Sequence, residues 1–439
     1  MASILVAGAG HGGLTAGALL AKAGHRVTVF EQGAEETLGH DWTDIFNPAA
    51  FREAGIPMPP HEEYEPACHM TFYGPSRRTG VPSYIRAEEC SEVNMERRAI
   101  LRHLVAFARG NGAELHFDAQ VLRPLVESNR VVGLVVRYAN GEQEQRCDLV
   151  IDAAGMHSAV RRQLPAELGI VKESAPGQTF SVYRAFYNDT GAKPLTDEPF
   201  SVYFFPLGAV AVCWVARENG YVDLLYGVFE ENSREKAEAL RSFLARELHP
   251  ELGDRVLRGG AVRGVSVRRP ISVMAADGYA AVGDSAGMTV PIIGSGICDS
   301  IRAGRILAET VLQSPAFTAG ALWQYQVKYM REVGAVHASL DCFKTFLVGG
   351  GTENLDFLFD RGVMDCKTMI RARTGQEITY TLPELVRSGL RGRNRPGLLL
   401  QLAGVMRRSQ ALKRHCYRIP KEYDKVAVAK WAEKYDSIK

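Results

Sequence analysis

The run Ser3-Ile4-Leu5-Val6-Ala7-Gly8-Ala9-Gly10-His11-Gly12-Gly13, continued to Glu31, decides the fold. Ser3 to Ala7 is a short apolar run that predicts a buried strand. Gly8, Gly10 and Gly13 follow at G-x-G-x-x-G spacing. Residues 14 to 24 are rich in Ala and Leu and predict a helix, with Gly24 as its C-cap. Val27 to Phe30 alternates as a second strand ending at Glu31. The glycines each have a physical role. Gly8 makes the tight turn, Gly10 lets the backbone approach a pyrophosphate, and Gly13 lets helix and strand pack closely. The helix N-terminus, from His11 and Gly12 onward, offers unpaired N–H groups to phosphate oxygens. Glu31, followed by Gln32, accepts from ribose hydroxyls. Strand, helix, strand and acid in that order predict a dinucleotide-binding unit. An acid at that place favours an unphosphorylated ribose, hence FAD or NAD rather than NADP.

The rest of the composition sets limits. A chain of 439 residues implies two or three domains, and 46% hydrophobic with 23% charged residues describes an ordinary globular protein. The eight cysteines are scattered without a C-x-x-C pair. That argues against a metal centre or a disulfide framework and suits a reducing, cytoplasmic compartment. The apolar N-terminus lacks the basic leader of a signal peptide. No apolar run approaches the roughly 18 residues of a membrane span. Nothing points to a nucleic acid partner. The net charge of +2 is uneven: residues 386 to 439 hold 14 Lys/Arg against 4 Asp/Glu. This basic end is either a solvated tail or an attraction to anionic lipid or a phosphorylated substrate.

Along the chain, residues 34 to 65 read as loop with short helical pieces, and His40, Asp41, Trp42 and Asp44 follow the second strand closely. Glu96 to Arg109 has helical spacing. Glu114 to Asp118, Val131 to Tyr138, Gln143 to Cys147 and Asp148 to Ala153 are strand candidates, with Asn140-Gly141 as a hairpin signal. Residues 180 to 188, 200 to 217 and 221 to 230 predict antiparallel strands and Ser233 to Leu248 a charged helix. Residues 279 to 313 return to strand-then-helix character, and most of the chain beyond 320 reads as helix.

Two distant pieces join the opening one. Asp148 to Arg161 contains Ala154-Gly155 after a buried strand, and Val282-Gly283-Asp284-Ser285-Ala286-Gly287 is followed by Pro291, Gly294, Ser295, Gly296 and Ile297. Together these resemble the FAD-dependent superfamily of aromatic-ring hydroxylases, FixC-like electron-transfer flavoproteins and geranylgeranyl reductases, over residues 1 to about 315. The resemblance implies that Asp284 binds a ribityl hydroxyl of FAD. It also implies that Gly294, Gly296 and Ile297 present N–H groups to the flavin, that Arg97 lies near the pyrophosphate, and that Val121 meets the adenine. A helix N-terminus at that edge would stabilise the negative charge of a reduced flavin.

Ala154-Gly155 replaces the Asp-Gly usual in hydroxylases, and Gly287 stands where they often have His. Both departures tilt toward the geranylgeranyl reductase and FixC branch. Val202 to Pro206 partly matches an aromatic segment of those reductases, while the cysteine often found in the loop after the second strand is missing. The resemblance therefore implies an FAD oxidoreductase that reduces C=C bonds of a hydrophobic, isoprenoid or lipid-like substrate, with His40, Asp41 and Tyr203 as candidate catalytic residues. The alternatives are an NAD(P)H-dependent flavin monooxygenase acting on an aromatic ring and a FixC-like module donating to quinone. Electrons would come from a donor protein or from NAD(P)H. The expected fold is α/β. A discontinuous FAD domain (1–70, 95–170, 265–320) would carry an inserted antiparallel-sheet substrate domain (71–94, 171–264). A helical basic region (321–439) would follow, with peripheral membrane contact as one of its readings. Leu398 to Met406 could lie on a membrane or pack as an ordinary core helix.

Overall fold

The computed structural model describes residues 1–85, 90–173, 175–196, 198–218, 220–314 and 316–438; residues 86–89 of the expected substrate domain lie outside them. The opening run folds as strand Ser3–Ala7, helix His11–Lys22 and strand Arg26–Phe30. The two strands pair in parallel, Ile4 beside Val27 and Val6 beside Val29, which a crossover helix requires. They are the centre of a six-stranded sheet ordered Ala275–Ala276, Tyr279–Ala281, Leu149–Asp152, Ser3–Ala7, Arg26–Phe30, Glu114–His116. Ile4, Leu5 and Val6 are all buried. Successive side chains point to opposite faces, so both faces of this sheet are covered.

Two glycines show why the spacing matters. Gly8 has φ +92°, and a Cβ there would sit 2.6 Å from the Ala153 carbonyl oxygen. At Gly13 a Cβ would lie 2.6 Å from the Ala153 side chain. Farther along, the helices His11–Lys22 and Ile297–Gln313 meet backbone to backbone: a Cβ on Gly304 would fall 2.5 Å from the Gly12 carbonyl oxygen. Gly304→Ala should therefore force the two helices apart at a cost of about 1–3 kcal/mol, read by chemical denaturation. Unchanged stability would mean that the helices slide apart freely.

Three strands, Gln120–Glu127, Arg130–Tyr138 and Gly141–Arg146, form an antiparallel meander with Tyr138 opposite Gly141 at the expected hairpin. The first of them escapes the sequence reading because it carries Pro124, which an outer strand tolerates. A small sheet of Thr43–Phe46, Val93–Glu96 and Tyr64–Pro66 occupies part of what reads as loop.

The largest sheet has seven strands: Leu252–Ser266, Thr179–Asp189, Tyr221–Val228, Ala211–Glu218, Phe200–Phe204, Thr71–Tyr73 and Gly80–Pro82. The predicted antiparallel run is its middle. Leu252–Ser266 is an edge strand whose glycines and arginines hide its period, and its register shifts beside Gly259, where φ is +76°. One face of this sheet packs on the predicted helix, Arg234–Glu247, through Leu240 and Leu244. The other face is turned toward the nucleotide-binding sheet.

Beyond residue 318 the chain is helical, and a π-helical turn at Met330–Gly334 joins Ala319–Tyr329 to Ala335–Gly349. Trp323, Tyr325, Tyr329 and Tyr435 are fully buried and share one core with Ile4 and Val6. The architecture is thus α/β, with a Rossmann-type sheet, antiparallel sheets and a helical C-terminal region.

Candidate active site

At the mouth of the parallel sheet, Gly10 caps helix His11–Lys22 without any side-chain hydrogen bond. The Glu31 carboxylate accepts from the backbone N–H groups of Ala9 and Gly33, both at 3.0 Å. Gln32 beside it is exposed. Ala119 donates to the Glu31 carbonyl (2.8 Å), which lays Val121 and its strand next to this corner. Arg97, heading helix Arg97–Gly110, grips Asp44 in a two-pronged ion pair (2.5 and 2.6 Å) and lies over the Trp42 ring.

His11 and His40 face the same Arg97. Burial, then the Arg97 charge and then His40, lower the His11 imidazole to about 3. Burial, Arg97 and Arg263 lower His40 to about 4. The buried Nε2 of His11 has no hydrogen-bond partner among the described residues. Both rings are therefore neutral at pH 7. The unfolded chain takes up protons on them near pH 6.5 and the folded chain does not. These two residues cost nothing above pH 6.5 and destabilise the apoprotein progressively as pH falls toward 4. His11→Gln should shrink the loss between pH 7 and pH 5 by about 1–2 kcal/mol, measured by denaturation at the two values. An identical loss in both proteins would contradict this.

The third segment is held by buried groups. Asp152, fully buried, accepts at Oδ2 from Ser158 (2.6 Å) and Tyr279 (2.8 Å), and at Oδ1 from Ser285 (3.0 Å) and the Ala154 N–H (3.1 Å). Arg161, also buried, donates to the carbonyls of Ser285 and Met156. Between them they clamp the turn Gly283–Ala286, with φ +62° at Gly283, to Gly155, where φ is +81°. Asp284 is thereby aimed at the start of helix Ile297–Gln313, its Oδ1 3.5 Å from where a Gly296 Cβ would be. Burial raises the Asp284 carboxyl above the usual range, against the pull of Arg97 and Arg161. Gly294 has φ +71°, and the Ser295 carbonyl accepts from Val290 (2.7 Å), so the backbone of Pro291 to Ile297 is fixed in an open loop.

That loop forms one wall of a cavity of about 440 Å³. Its opposite wall is the seven-stranded sheet, through Val182, Val202, Phe204, Trp214 and Leu225, with Trp42 at the rim. The lining is predominantly apolar but contains two buried ion pairs, Arg373 with Glu92 and Arg184 with Asp223. Arg184 donates to both Asp223 oxygens (2.9 and 2.7 Å) and to the hydroxyl and carbonyl of Thr43. Trp214 Nε1 donates to the same carboxylate (3.0 Å). Phe72, Phe204, Ile292 and Leu347 also line a smaller apolar cavity of about 60 Å³ that continues into the C-terminal helices.

None of the three catalytic candidates lines this cavity. Strand alternation puts Val202 and Phe204 on its wall and turns Tyr203 to the other face, where it stacks on Tyr73 and donates to or accepts from His249 Nε2 at 2.7 Å. Asp41 points outward toward Arg258 (3.5 Å) and Arg98 (4.0 Å). His40 lies edge-on to Trp42 (4.6 Å between ring centres) and stays beside the nucleotide corner. The residues the sequence reading missed are Asp152, Arg161, Arg184 and Asp223. For Asp152, Arg184 and Asp223 the signal was available, since each is a lone charge inside an apolar strand; Arg161, followed by Arg162, gave none.

A Rossmann sheet with three converging glycine-bearing segments and a large cavity against an antiparallel sheet define a nucleotide-dependent oxidoreductase of the flavoprotein kind. Residues 1–314 match the FAD binding domain family, and the chain belongs to it. Its cofactor is FAD. The residues present fit that group: a neutral His11 whose Nε2 has no partner among the described residues, a helix start at Gly10 that no side chain caps, and a buried Asp284 carboxyl that accepts from no donor among the described residues.

The chain is 22% identical to a digeranylgeranylglycerophospholipid reductase of Sulfolobus acidocaldarius, over 99% of this chain and 96% of that one. Its fold resembles a geranylgeranyl bacteriochlorophyll reductase-like protein from Thermoplasma acidophilum, with TM-score 0.74, 20% identity, and 92% and 99% of the two chains covered. A probable FAD-dependent monooxygenase from Pseudomonas aeruginosa gives 0.57 at 20% identity over 81% and 96%.

Proposed function

We propose that the protein is an FAD-dependent reductase that saturates C=C bonds in a hydrophobic, isoprenoid or lipid-like substrate. The observation that carries this reading is the apolar cavity of about 440 Å³ beside the Pro291–Ile297 loop, prolonged by the smaller cavity among the C-terminal helices. The side at Arg97 and the Pro291–Ile297 loop belongs to the flavin, and what is left for substrate is the apolar wall of the seven-stranded sheet with its continuation among the C-terminal helices, a lining that suits an alkyl chain. The similarity to a digeranylgeranylglycerophospholipid reductase supports the same substrate class.

When bound, the flavin supplies a hydride to one alkene carbon. The chain's own residues do the rest. Gly8, Gly10, Gly12, Gly13 and His11 hold the phosphates, and Glu31, Gln32, Arg97 and Val121 hold the adenosine half. Asp284 accepts from a ribityl hydroxyl, which compensates the burial of its charge. The N–H groups at Gly294 to Ile297 face negative charge at a helix N-terminus. Ala154, Gly155, Gly283, Pro291 and Ser295 shape the walls. Trp42, Phe204 and Leu225 exclude water and position the chain.

The second alkene carbon needs a proton. On the cavity wall, burial raises both Glu92 and Glu218 above the usual carboxyl range. Glu92 is tied to Arg373, whereas Glu218 has no ion-pair partner among the described residues; its burial, joined by the charge of Asp223, outweighs the hydrogen bonds from Tyr221 and Asn94 and the pull of Arg184, so Glu218 can hold a proton. Electrons come from a donor protein or NAD(P)H. The test is anaerobic incubation of reduced holoprotein with a polyprenyl lipid across a pH series. Product two mass units heavier, formed at a rate that falls as pH rises through the raised Glu218 pKa, is expected. An oxygenated product formed only in air would overturn the reductase reading.

A further inference from the structure

Among the described residues, the side chains of the helix Leu382–Gly392 are unusual. Leu382, Leu385, Val386 and Leu390 are 75%, 42%, 56% and 64% exposed, and Leu400 on the next helix is 72% exposed. At 100° per residue the four on the first helix share one stripe, with Arg387 along its edge. Residues 381 to 408 contain six arginines against one acid, Glu384, which is paired to Lys367. Arg395 pairs with Glu353, while Arg387, Arg393, Arg407 and Arg408 have no carboxylate partner among the described residues.

The neighbouring helix Pro396–Tyr417 is different. Leu398, Val405 and Leu412 are buried, so it packs as an ordinary core helix. Between it and Ala335–Gly349 lies an open groove of about 500 Å³ lined by Phe346, Gly349, Gly350, Leu400 and Arg408. Phe346 also lines the smaller apolar cavity, which in turn shares its wall with the main one.

We propose that the exposed face of Leu382–Gly392, with Leu400, seats the protein on an anionic bilayer, and that the groove closed by Phe346 is where an apolar chain passes from that bilayer to the cavity. An apolar stripe bordered by unpaired arginines matches the acyl and phosphate layers of an anionic leaflet. The groove's role rests on the hydrophobic-substrate reading; the docking face does not.

Vesicle flotation of the holoprotein tests it, using phosphatidylcholine with and without phosphatidylglycerol. Binding should appear with phosphatidylglycerol and weaken with salt. Leu385→Asp/Leu390→Asp and Arg387→Glu/Arg393→Glu should each reduce it on the order of tenfold. Both pairs are exposed, so bound flavin and thermal midpoint should stay unchanged. No flotation of the wild type at low salt, or equal flotation of the variants, would overturn the proposal. So would a wild-type dimer in sedimentation that Leu385→Asp/Leu390→Asp dissolves, which would assign the face to a second copy. Flotation that persists when no alkene is reduced would leave the docking face standing and remove the reductase reading alone. Among variants that float normally, Gly349→Phe, which narrows the groove and does not line either cavity, should slow reduction of vesicle-borne substrate and spare a short soluble alkene.

Discussion

Asp152→Ala is expected to cost about 3–5 kcal/mol and to release the cofactor. The carboxylate is fully buried and accepts four hydrogen bonds, from Ser158, Tyr279, Ser285 and the Ala154 N–H. A buried donor left without a partner costs about 1–3 kcal/mol, and four sharing one site do not add fully. The consequence for function comes through geometry. Ser285 neighbours Asp284, so the turn that aims Asp284 loses its buried anchor and is left with Arg161 and the Ser285–Gly155 contact. Asp152→Asn should be milder, because the hydroxyls of Ser158 and Tyr279 can rotate to accept from the new amide. Chemical denaturation and the flavin-to-protein absorbance ratio after gel filtration measure both effects. An alanine variant that stays within 1 kcal/mol and keeps its full flavin would show that the turn is held elsewhere.

Arg184→Met comes next in expected size. Its guanidinium is paired with Asp223 at side-chain exposures of 8% and 2%, touches Thr43, and lies 5.1–5.7 Å from the rings of Phe186, Trp214 and Trp42. Removing it leaves Asp223 buried with only Trp214 as a partner, at about 3–5 kcal/mol. Replacing both, as Arg184→Met/Asp223→Leu, should recover most of that, because two apolar side chains in a dry site cost far less than one stranded charge. The pair also fastens the sheet to the Thr43–Phe46 strand, where Asp44 holds Arg97. The double variant should therefore be stable and still bind its substrate less tightly, seen as a raised KM with the unfolding midpoint nearly restored. A single variant that costs less than 1 kcal/mol would mean that water reaches the pair.

How far these features could be read beforehand depends on the range of the signal. The strand, glycine turn, helix and acid at the N-terminus are local, so their positions along the chain carried the fold. The strand Leu252–Ser266 was not legible: as an edge strand it buries little, and its glycines and arginines break the alternation. Tyr203 illustrates a second limit. Its neighbours mark an aromatic strand, but which face meets the cavity is set by pairing with Thr71–Tyr73 and Ala211–Glu218, far away in sequence. Arg184 and Asp223 interrupt two apolar strands, and a charge there announces a partner without saying which one. The nucleotide-binding fold was thus legible and the wall of the cavity was not, since its lining is gathered from many short stretches between Trp42 and Arg373.

The most direct measurement is reoxidation of the photoreduced holoprotein, mixed without air against a dispersed polyprenyl alkene, then against a quinone, then against oxygen. If the cavity holds an isoprenoid chain beside the flavin, the alkene should restore the oxidised yellow spectrum and yield the saturated product. Reoxidation by quinone or oxygen alone, with the alkene inert, would contradict it.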